Sequence, residues 1–187
     1  MIIFNKQYIE KGFFIQTNKK KIIYLDRDGV INKDFGYVYE IDKFEFINGV
    51  FEACKYFINL GYEIIVVTNQ SGIGRNYYTK EDFIKLTNWM KNEFKKNGIN
   101  ILNVYFCPHA PEENCSCRKP QIGMITQSLN DFDIDLQKSW LIGDKMSDIQ
   151  TAISANIPNK ILISKEKEDK VLHVVETLFD TINIIKQ

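Results

Sequence analysis

The sequence predicts an α/β fold built on a parallel β-sheet. Short apolar runs rich in Ile, Val, Leu and Tyr alternate with longer stretches of helical periodicity, and this alternation is typical of βαβ units. Polar motifs follow directly after three of the apolar runs. Because ligands of open α/β sheets bind at the carboxyl ends of the strands, we expect these motifs to meet in one cleft.

Five apolar runs are predicted to be strands, and four of the stretches between them helices. The strand runs are KIIYLD (21–26), YEIIVVTN (62–69), NVYFC (103–107), SWLIGD (139–144) and KILIS (160–164). The predicted helices run from Gly49 to Leu60, Thr79 to Asn97, Ile122 to Phe132 and Ser147 to Ala155. Thr79 precedes Asp82 by three residues and is predicted to cap its helix. Connections of this length suit right-handed crossovers.

The chain length favours one domain. The 187 residues fit one hydrophobic core and are few for two, and no repeat or Pro/Ser-rich linker marks a boundary. We therefore predict a single domain over residues 1–187, with its core at about 21–165. Residues 1–20 have no clear pattern and are predicted to form an N-terminal extension, either an added strand or an arm.

The charge balance predicts the kind of partner. The 24 basic and 24 acidic residues cancel, so the sequence shows no basic surface for nucleic acid or an anionic membrane, and a small molecule or a protein is favoured as the partner.

No apolar run approaches the roughly 20 residues of a membrane-spanning helix. The N-terminal stretch lacks the apolar core and cleavage site of a signal peptide. We therefore predict a cytoplasmic protein.

The stretch CPHAPEENCSC (107–117) holds three of the four cysteines of the chain and one of its two histidines. A disulfide scaffold would spread its cysteines along a short secreted chain. Cys107, His109, Cys115 and Cys117 instead provide a Cys₃His set, in which protein ligands fill all four positions of a tetrahedral zinc ion. Sites without an open position are structural, so a structural Zn²⁺ is predicted. Cys54 is predicted to be an unreactive helix residue.

Carboxylates follow two of the predicted strands. Asp26 and Asp28 leave the first strand two residues apart, Gly29 allows a sharp turn after them, and Asp144 ends a later strand. Mg²⁺ is bound in proteins through one or two carboxylates, water and substrate phosphate oxygens. A magnesium site at this edge of the sheet is therefore predicted, although paired acids in a loop are also common as solvated side chains.

Four segments resemble, in order and spacing, the signatures of the haloacid dehalogenase superfamily. They are YLDRDGVIN, VVTNQSGIGR, CRKP and IGDKMSDIQTA. Within this superfamily, the block GYVYEIDKFEFINGV and the cysteine loop resemble the heptose 1,7-bisphosphate phosphatases, over roughly residues 22–165. The resemblance implies a three-layer Rossmann-like fold with a minimal cap and a zinc-binding loop. It also implies a phosphatase that acts on a sugar bisphosphate and supplies heptose 1-phosphate for nucleotide-activated heptose, used in lipopolysaccharide core or capsule. Because a minimal cap leaves the cleft exposed, a monomer is expected.

The same resemblance implies the catalytic residues. Asp26 matches the nucleophile that forms an aspartyl-phosphate, and Asp28 the acid that protonates the leaving oxygen and then activates water. Thr68 and Lys119 match the residues that hold the phosphoryl oxygens and offset their charge. Asp26, the main-chain carbonyl of Asp28, and Asp144 match the magnesium ligands.

Further residues match family positions that contact the sugar or its distal phosphate: Asp34, Gly36, Tyr37, Asn69, Gln70, Ser71, Arg75, Arg118 and Lys145. The chain departs from the family pattern at Asn76, where glycine usually follows the arginine, and at Ile122, where proline is usual, so the anomer preference stays open. Asp148 is predicted either to cap a helix or to orient Lys119. His173 is predicted to be a residue of a C-terminal helix.

Three other functions fit part of the sequence. A histidinol-phosphate phosphatase shares the zinc loop and the Asp pair, but usually carries an acidic residue where this chain has Ser71. A DNA 3′-phosphatase shares the core motifs but needs no zinc loop and should be more basic. A zinc-stabilised phospholigand-binding module fits the cysteine cluster, but binding alone does not require both a nucleophile and an acid.

Overall fold

The computed structural model describes residues 19–166 and 168–186 of the chain. Within these residues it contains one parallel six-stranded sheet. The strands are β1 (Ile22–Leu25), β2 (Glu63–Asn69), β3 (Ile101–Cys107), β4 (Trp140–Gly143), β5 (Asn159–Ile163) and β6 (Val174–Val175), in the order β3-β2-β1-β4-β5-β6. The predicted parallel sheet is confirmed, and β6 adds a short edge strand that the sequence analysis did not predict.

The four predicted helices are present, with ends within a few residues of those expected. The helices are α1 (Val50–Asn59), α2 (Ser71–Gly74), α3 (Lys80–Lys96), α4 (Gly123–Asp131) and α5 (Met146–Ser154). The predicted cap of α3 is confirmed, because Thr79 Oγ1 accepts from the Asp82 N–H at 3.1 Å and Asp82 Oδ2 accepts from the Thr79 N–H at 2.9 Å. The single-turn helix α2 was not predicted, since four residues carry no helical periodicity.

Alternating side chains of the strands form two apolar layers, which confirms the three-layer architecture. Ile23 and Leu25 of β1 face the layer that contains α1, α3 and the C-terminal segment. Ile22 and Tyr24 face the layer that contains α4 and α5. Both faces of β1 are fully buried, as expected for a central strand of a parallel sheet. Cys54 of α1 lies in the first layer, and burial raises the pKa of its thiol, in keeping with its predicted unreactive role.

The C-terminal region differs from its prediction. His173 was predicted to lie in a helix, which is wrong: it immediately precedes β6, and its carbonyl accepts from the Leu162 N–H at 3.0 Å. The β-branched pair Val174 and Val175 continues this pairing along the edge strand β5. Pairing with an exposed sheet edge therefore prevails over any local helical preference.

The predicted N-terminal extension lies almost entirely outside the described residues. From Lys20 onward the chain is tied to the domain, because the Lys20 N–H donates to Asp133 O and the Asp135 N–H donates to Lys20 O, both at 2.9 Å. No helix in the described part of the chain has the length and apolar character needed to cross a bilayer.

The strand order positions the predicted site residues. Chain order runs outward from β1 to β3 on one side of the sheet and from β4 to β6 on the other, so the connections leave β1 and β4 in opposite directions. Open sheets of this order have a crevice where the direction reverses, outside the carboxyl ends of the strands. Asp26, Thr68 and Asp144 lie at or just beyond the ends of β1, β2 and β4, and therefore converge there.

Candidate active site

A cleft of about 330 Å³ opens at the carboxyl ends of the strands. Its lining includes most of the site residues predicted from the sequence: Asp26, Asp28, Asp34, Gly36, Tyr37, Thr68, Asn69, Gln70, Ser71, Arg118, Lys119 and Lys145. Tyr78 and Ser147, which the sequence analysis did not select, also line it. The cleft is therefore bounded by segments that are far apart in the chain and that meet only in the fold.

Lys119 lies at the base of the cleft between two carboxylates. Its Nζ is 3.0 Å from Asp26 Oδ1 and 2.5 Å from Asp148 Oδ1, and it donates to the Val67 carbonyl at 2.9 Å. Burial opposes the effect, but the carboxylates of Asp148 and Asp26 raise the pKa of Lys119 above its ordinary value. Lys119 is therefore a fixed cation beside the predicted nucleophile.

Asp148 performs both of the roles that the sequence analysis left open: it caps a helix and it contacts Lys119. One carboxylate oxygen accepts from the Lys145 N–H at 3.0 Å, which caps α5, and the other pairs with Lys119. Gly143 leaves room for this carboxylate, since a Cβ there would lie 2.2 Å from Asp148 Cγ. Asp148 is fully buried, so its orientation is set by the fold.

Asp26, Asp144 and Asp148 bring one carboxylate oxygen each to within 4.8 Å of the others. Burial raises the pKa of Asp26 to about 7, against the lowering effect of Lys119, and burial raises the pKa of Asp144 to about 6. Asp144 Oδ1 is buried and has no hydrogen-bond partner among the described residues. This excess of buried negative charge, with one unpartnered hard oxygen, fits a bound divalent cation such as Mg²⁺.

Gly29 lets the chain pass close to this acidic group. Its φ is +84°, and a Cβ at this position would lie 2.3 Å from Asp144 Oδ2. Glycine is therefore required here both for its backbone conformation and for the space it leaves.

Arg27 and Asn32 hold the side chain of Asp28. Arg27 is only 1% exposed, and it donates through Nε and a terminal nitrogen to the two oxygens of Asp28 at 3.1 and 2.9 Å. Asn32 Nδ2 donates to Asp28 Oδ1 at 2.9 Å. The sequence analysis missed both residues, although a cation placed between two acids in a buried turn is a signal that could have indicated Arg27.

Asn69 was predicted to contact the substrate, but its side chain forms hydrogen bonds with the main chain of Lys119. Its carboxamide oxygen accepts from the Lys119 N–H at 3.0 Å, and its carboxamide nitrogen donates to the Lys119 carbonyl at 3.2 Å. These reciprocal hydrogen bonds join the end of β2 to the segment that carries Lys119. The side chain is thus placed to position the cation as well as to line the cleft.

The opposite wall of the cleft is held by an ion pair. Lys145 Nζ lies 3.1 Å from Asp34 Oδ2 and 3.8 Å from Asp144 Oδ2. Burial opposes the effect, but the Gly36 N–H and Lys145 lower the pKa of Asp34. Tyr37, in the same loop, has a φ of +52°, which is uncommon for a bulky residue. These contacts fix the loop over 34–37 against the start of α5.

Arg75 is the predicted substrate-binding residue that does not line the cleft. Its guanidinium lies 3.2 Å from Glu112 Oε1, a residue of the cysteine-containing loop. The following Asn76 has a φ of +59°, in the left-handed region that favours glycine. The structure therefore places Arg75 on the outer side of α2, paired with an acid of a neighbouring loop.

The four predicted zinc ligands come together in one cluster. Cys115 Sγ lies 3.4 Å from Cys107 Sγ and 3.5 Å from Cys117 Sγ, and His109 Nδ1 lies 3.2 Å from Cys117 Sγ and 3.5 Å from Cys107 Sγ. Tetrahedral zinc with ordinary bond lengths would separate two sulfurs by about 3.8 Å and a sulfur from a nitrogen by about 3.5 Å. The cluster is thus close to the geometry that zinc requires.

The three thiols of this cluster differ in acidity. Burial raises the pKa of Cys107 and of Cys117, whereas the hydrogen bond with Cys107 and backbone N–H groups lower the pKa of Cys115 to about 7, against the effect of its burial. The thiolate is the form of cysteine that binds zinc, so zinc bound here would displace the thiol protons and its binding should weaken as the pH falls.

The cysteine loop is attached to the cleft at several points. The Gln70 N–H donates to Cys107 O and the Gly74 N–H donates to Pro108 O, both at 2.8 Å. On the other side of the loop, the Gly123 N–H donates to Ser116 O at 3.0 Å. The loop thus connects the ends of β2 and β3 with the start of α4, and Arg118 and Lys119 leave it directly toward the cleft.

The chain is similar to known proteins over most of its length. The family model described as polynucleotide kinase 3 phosphatase matches residues 18–176. The D-glycero-alpha-D-manno-heptose-1,7-bisphosphate 7-phosphatase of Campylobacter jejuni subsp. jejuni serotype O:2 is 45% identical over 170 residues, which span 90% of this chain and 98% of the relative. The D-glycero-beta-D-manno-heptose-1,7-bisphosphate 7-phosphatase of Yersinia pestis is 44% identical over 158 residues, 81% of this chain and 84% of the relative.

A solved structure is similar over nearly the same extent. The D,D-heptose 1,7-bisphosphate phosphatase from B. bronchiseptica, complexed with magnesium and phosphate, has a TM-score of 0.77 and 26% sequence identity, and the match covers 88% of this chain and 97% of that one. The chain therefore matches these proteins over most of their length.

Proposed function

The chain belongs to the polynucleotide kinase 3 phosphatase family, within the haloacid dehalogenase superfamily, and from that premise we propose the reaction and the residues that perform it. It is a phosphoric monoester hydrolase that removes the 7-phosphate of D-glycero-D-manno-heptose 1,7-bisphosphate and leaves heptose 1-phosphate. The observation that carries this proposal is the convergence of Asp26, Thr68 and Lys119 at the base of one cleft. The relatives include both anomers in their names, and the 7-phosphate is common to both.

Asp26 is the nucleophile. Its Oδ1 accepts from the Arg27 N–H at 2.7 Å and contacts Lys119 at 3.0 Å, so Oδ2 is the oxygen that attacks phosphorus. The bond between phosphorus and the sugar oxygen breaks, and that oxygen takes the proton of Asp28. Asp28 then removes a proton from water, which attacks the aspartyl-phosphate and releases phosphate. This division into two steps is covalent catalysis.

Two side chains, one cationic and one neutral, serve the transferring phosphoryl group. Lys119 offsets its charge at the nucleophile, and Thr68 donates its hydroxyl to a phosphoryl oxygen, which together stabilise the transition state. Asp26, Asp144 and the main-chain carbonyl of Asp28 would hold Mg²⁺, which supplies charge neutralisation for the incoming phosphate. Arg118 and Lys145, on the walls of the cleft, are placed to bind the phosphate that is not cleaved.

Cys107, His109, Cys115 and Cys117 would hold one structural Zn²⁺ with no open coordination position. We further propose that the enzyme acts as a monomer in the cytoplasm, whose reducing conditions suit the free thiols of this cluster. Its product would then be available to the enzymes that activate heptose with a nucleotide.

The substrate assignment predicts the outcome of a phosphate-release assay. With Mg²⁺, heptose 1,7-bisphosphate should be the best of three substrates by kcat/KM, ahead of histidinol phosphate and a DNA oligonucleotide with a 3′-phosphate. The physical reason is that binding energy from the second phosphate can be used at the reacting centre. ³¹P NMR should show that the 1-phosphate is retained. A higher kcat/KM for histidinol phosphate would move the assignment to histidinol-phosphate phosphatase.

The close approach of Gly29 to Asp144 predicts a magnesium-specific defect. Gly29→Ala should raise the Mg²⁺ concentration needed for half-maximal activity by about 10- to 100-fold, as expected when a metal ligand is displaced. Gly98→Ala is the matched control, because Gly98 has a similar φ of +76° and no atom within 4 Å of its added Cβ. The positive φ should cost each variant roughly 1 kcal/mol of stability, and Gly29→Ala should lose more because its Cβ also meets Asp144. An unchanged Mg²⁺ requirement in Gly29→Ala would contradict the placement of Asp144.

A further inference from the structure

The side chain of Asp28 accepts four hydrogen bonds. They come from two nitrogens of Arg27, from Asn32 Nδ2 and from Gln70 Nε2, the last at 3.0 Å. An ionised carboxylate offers about four lone-pair positions, so these partners fit the ionised form, and the proton that Asp28 delivers as the general acid takes the place of one of them. The orientation of the general acid is therefore determined by its neighbours, and Gln70 is the neighbour whose side chain also contacts another catalytic side chain.

Gln70 connects Asp28 with Thr68. Its Nε2 donates one hydrogen to Asp28 Oδ2 and the other to Thr68 Oγ1, which lies 2.8 Å away. The side chain is only 2% exposed, and the main-chain N–H donates to the Cys107 carbonyl. Family resemblance assigned Gln70 to substrate contact, but in this structure both of its amide hydrogens are used within the protein.

The hydroxyl of Tyr78 supports the observed orientation of the Gln70 carboxamide. It donates to Gln70 Oε1 at 2.6 Å. If the carboxamide were reversed, its oxygen would face the acceptor Asp28 Oδ2 with no hydrogen between them, and the Tyr78 hydroxyl would lose its acceptor. Burial raises the pKa of Tyr78 to about 12, so the hydroxyl stays protonated across the range in which a phosphatase is assayed.

Two features of the fold deliver this hydroxyl to Gln70. Gly72 leaves space for the ring, since a Cβ there would lie 2.1 Å from Tyr78 Cε1. On its other side, the Tyr39 ring stacks on Tyr78 with centroids 5.0 Å apart and an angle of 14° between the planes. Tyr78 is buried, with 6% exposure, although it lines the cleft. The ring is therefore held at a fixed distance from Gln70.

We infer that Tyr78 is a positioning residue that acts through Gln70 to hold the general acid Asp28 in register with the phosphoryl-binding Thr68. This inference rests on the proposed phosphatase function. The inference predicts that Tyr78 contributes most to kcat when the leaving oxygen must be protonated. A sugar alkoxide needs one, whereas p-nitrophenolate is stable enough to leave without it.

The test compares two substrates in the magnesium-loaded full chain. Tyr78→Phe should lower kcat for heptose 1,7-bisphosphate by about 10-fold, near the upper end of what one hydrogen bond contributes. Its KM for that substrate and its kcat for p-nitrophenyl phosphate should stay close to the wild-type values. Tyr39→Phe is the matched control, because it removes a hydroxyl from the same stacked pair and leaves the ring contact in place. It should leave both activities unchanged.

A second variant tests the hydrogen bonds that Gln70 donates to Asp28 and Thr68. Gln70→Leu removes both donors and should lower kcat for heptose 1,7-bisphosphate by about 10²-fold, the lower range of general acid catalysis, with a smaller loss on p-nitrophenyl phosphate through Thr68. Equal losses on both substrates in Tyr78→Phe, or none on either, would overturn the inference while the wild-type activity stands. A wild-type enzyme that hydrolyses neither substrate would overturn the proposed function instead.

Discussion

Asp26→Asn should abolish turnover of heptose 1,7-bisphosphate, the largest effect expected of any single substitution. An amide of the same shape cannot form the aspartyl-phosphate, and the oxygen that attacks phosphorus is supplied by no other group of the site. Asp28→Asn should be less severe, with a loss of about 10²- to 10⁴-fold, the usual contribution of general acid–base catalysis. Steady-state phosphate release measures both losses.

The structure indicates that the loss in Asp26→Asn reflects chemistry and not unfolding. In Asp26→Asn, Lys119 keeps its contact with Asp148 and its hydrogen bond to the Val67 carbonyl, so the buried cation stays paired. The thermal midpoint should therefore remain near the wild-type value. Asp42→Asn, an exposed acid of the Ile41–Lys43 turn outside the cleft, should retain both stability and activity.

The position of the covalent intermediate is tested directly by trapping. With Mg²⁺ and beryllium fluoride or aluminium fluoride, the wild-type enzyme should hold the fluoride analogue on Asp26, and Asp26→Asn should not. A fluoride bound at another residue would refute the assignment of the nucleophile.

Local sequence signals predicted the parts of the fold that depend on local chemistry. The alternation of apolar runs gave the parallel sheet, and the spacing of Thr79 and Asp82 gave the start of α3, because a strand face and a capping box are each formed by residues close in the chain. The convergence of the carboxylates was predictable for the same reason, since parallel strands end at one edge of the sheet.

Local sequence signals did not predict the contacts between distant segments of the chain. Nothing near Tyr78 in the chain indicates that its hydroxyl faces Gln70, because the approach depends on the turn at Gly72 and on stacking with Tyr39. Likewise, Arg75 carries a family motif, yet its position follows from Glu112 on another loop. The contact partners of charged and polar loop side chains are thus determined by the fold and cannot be inferred from the motif.

The cysteine loop depends both on a local sequence signal and on contacts between distant segments. Its ligand spacing is a local signal, whereas its hydrogen bonds to Gln70, Gly74 and Gly123 are visible only in the fold. Cys117 is bonded directly to Arg118, and Lys119 is held in turn by Asn69. Fixing the cluster therefore fixes the start of the segment that delivers both cations to the cleft, and it also supports the main chain at Gln70.

Loss of this cluster should accordingly impair catalysis although its ligands lie outside the reacting group. The segment between the ligands is mainly Pro, Glu, Asn and Ser, which have too few apolar side chains to order themselves. A structural zinc site contributes its binding energy to folding, and misplacing a catalytic group by about 1 Å can cost roughly 10²-fold. Cys115→Ser and Cys117→Ser should therefore lower kcat/KM by about 10²-fold, while dependence on Mg²⁺ persists.

Metal analysis and thermal unfolding provide readouts that are independent of activity. The purified wild-type protein should contain about one zinc per chain, the stoichiometry of a single closed Cys₃His site, and each serine variant should lose the metal and unfold at a lower temperature. Cys54→Ala is the matched control, because it removes the one cysteine that lies outside the cluster, on the buried face of α1. It should keep its zinc and most of its activity. Full activity in protein verified to be free of zinc would show that the cations are held in place without the metal.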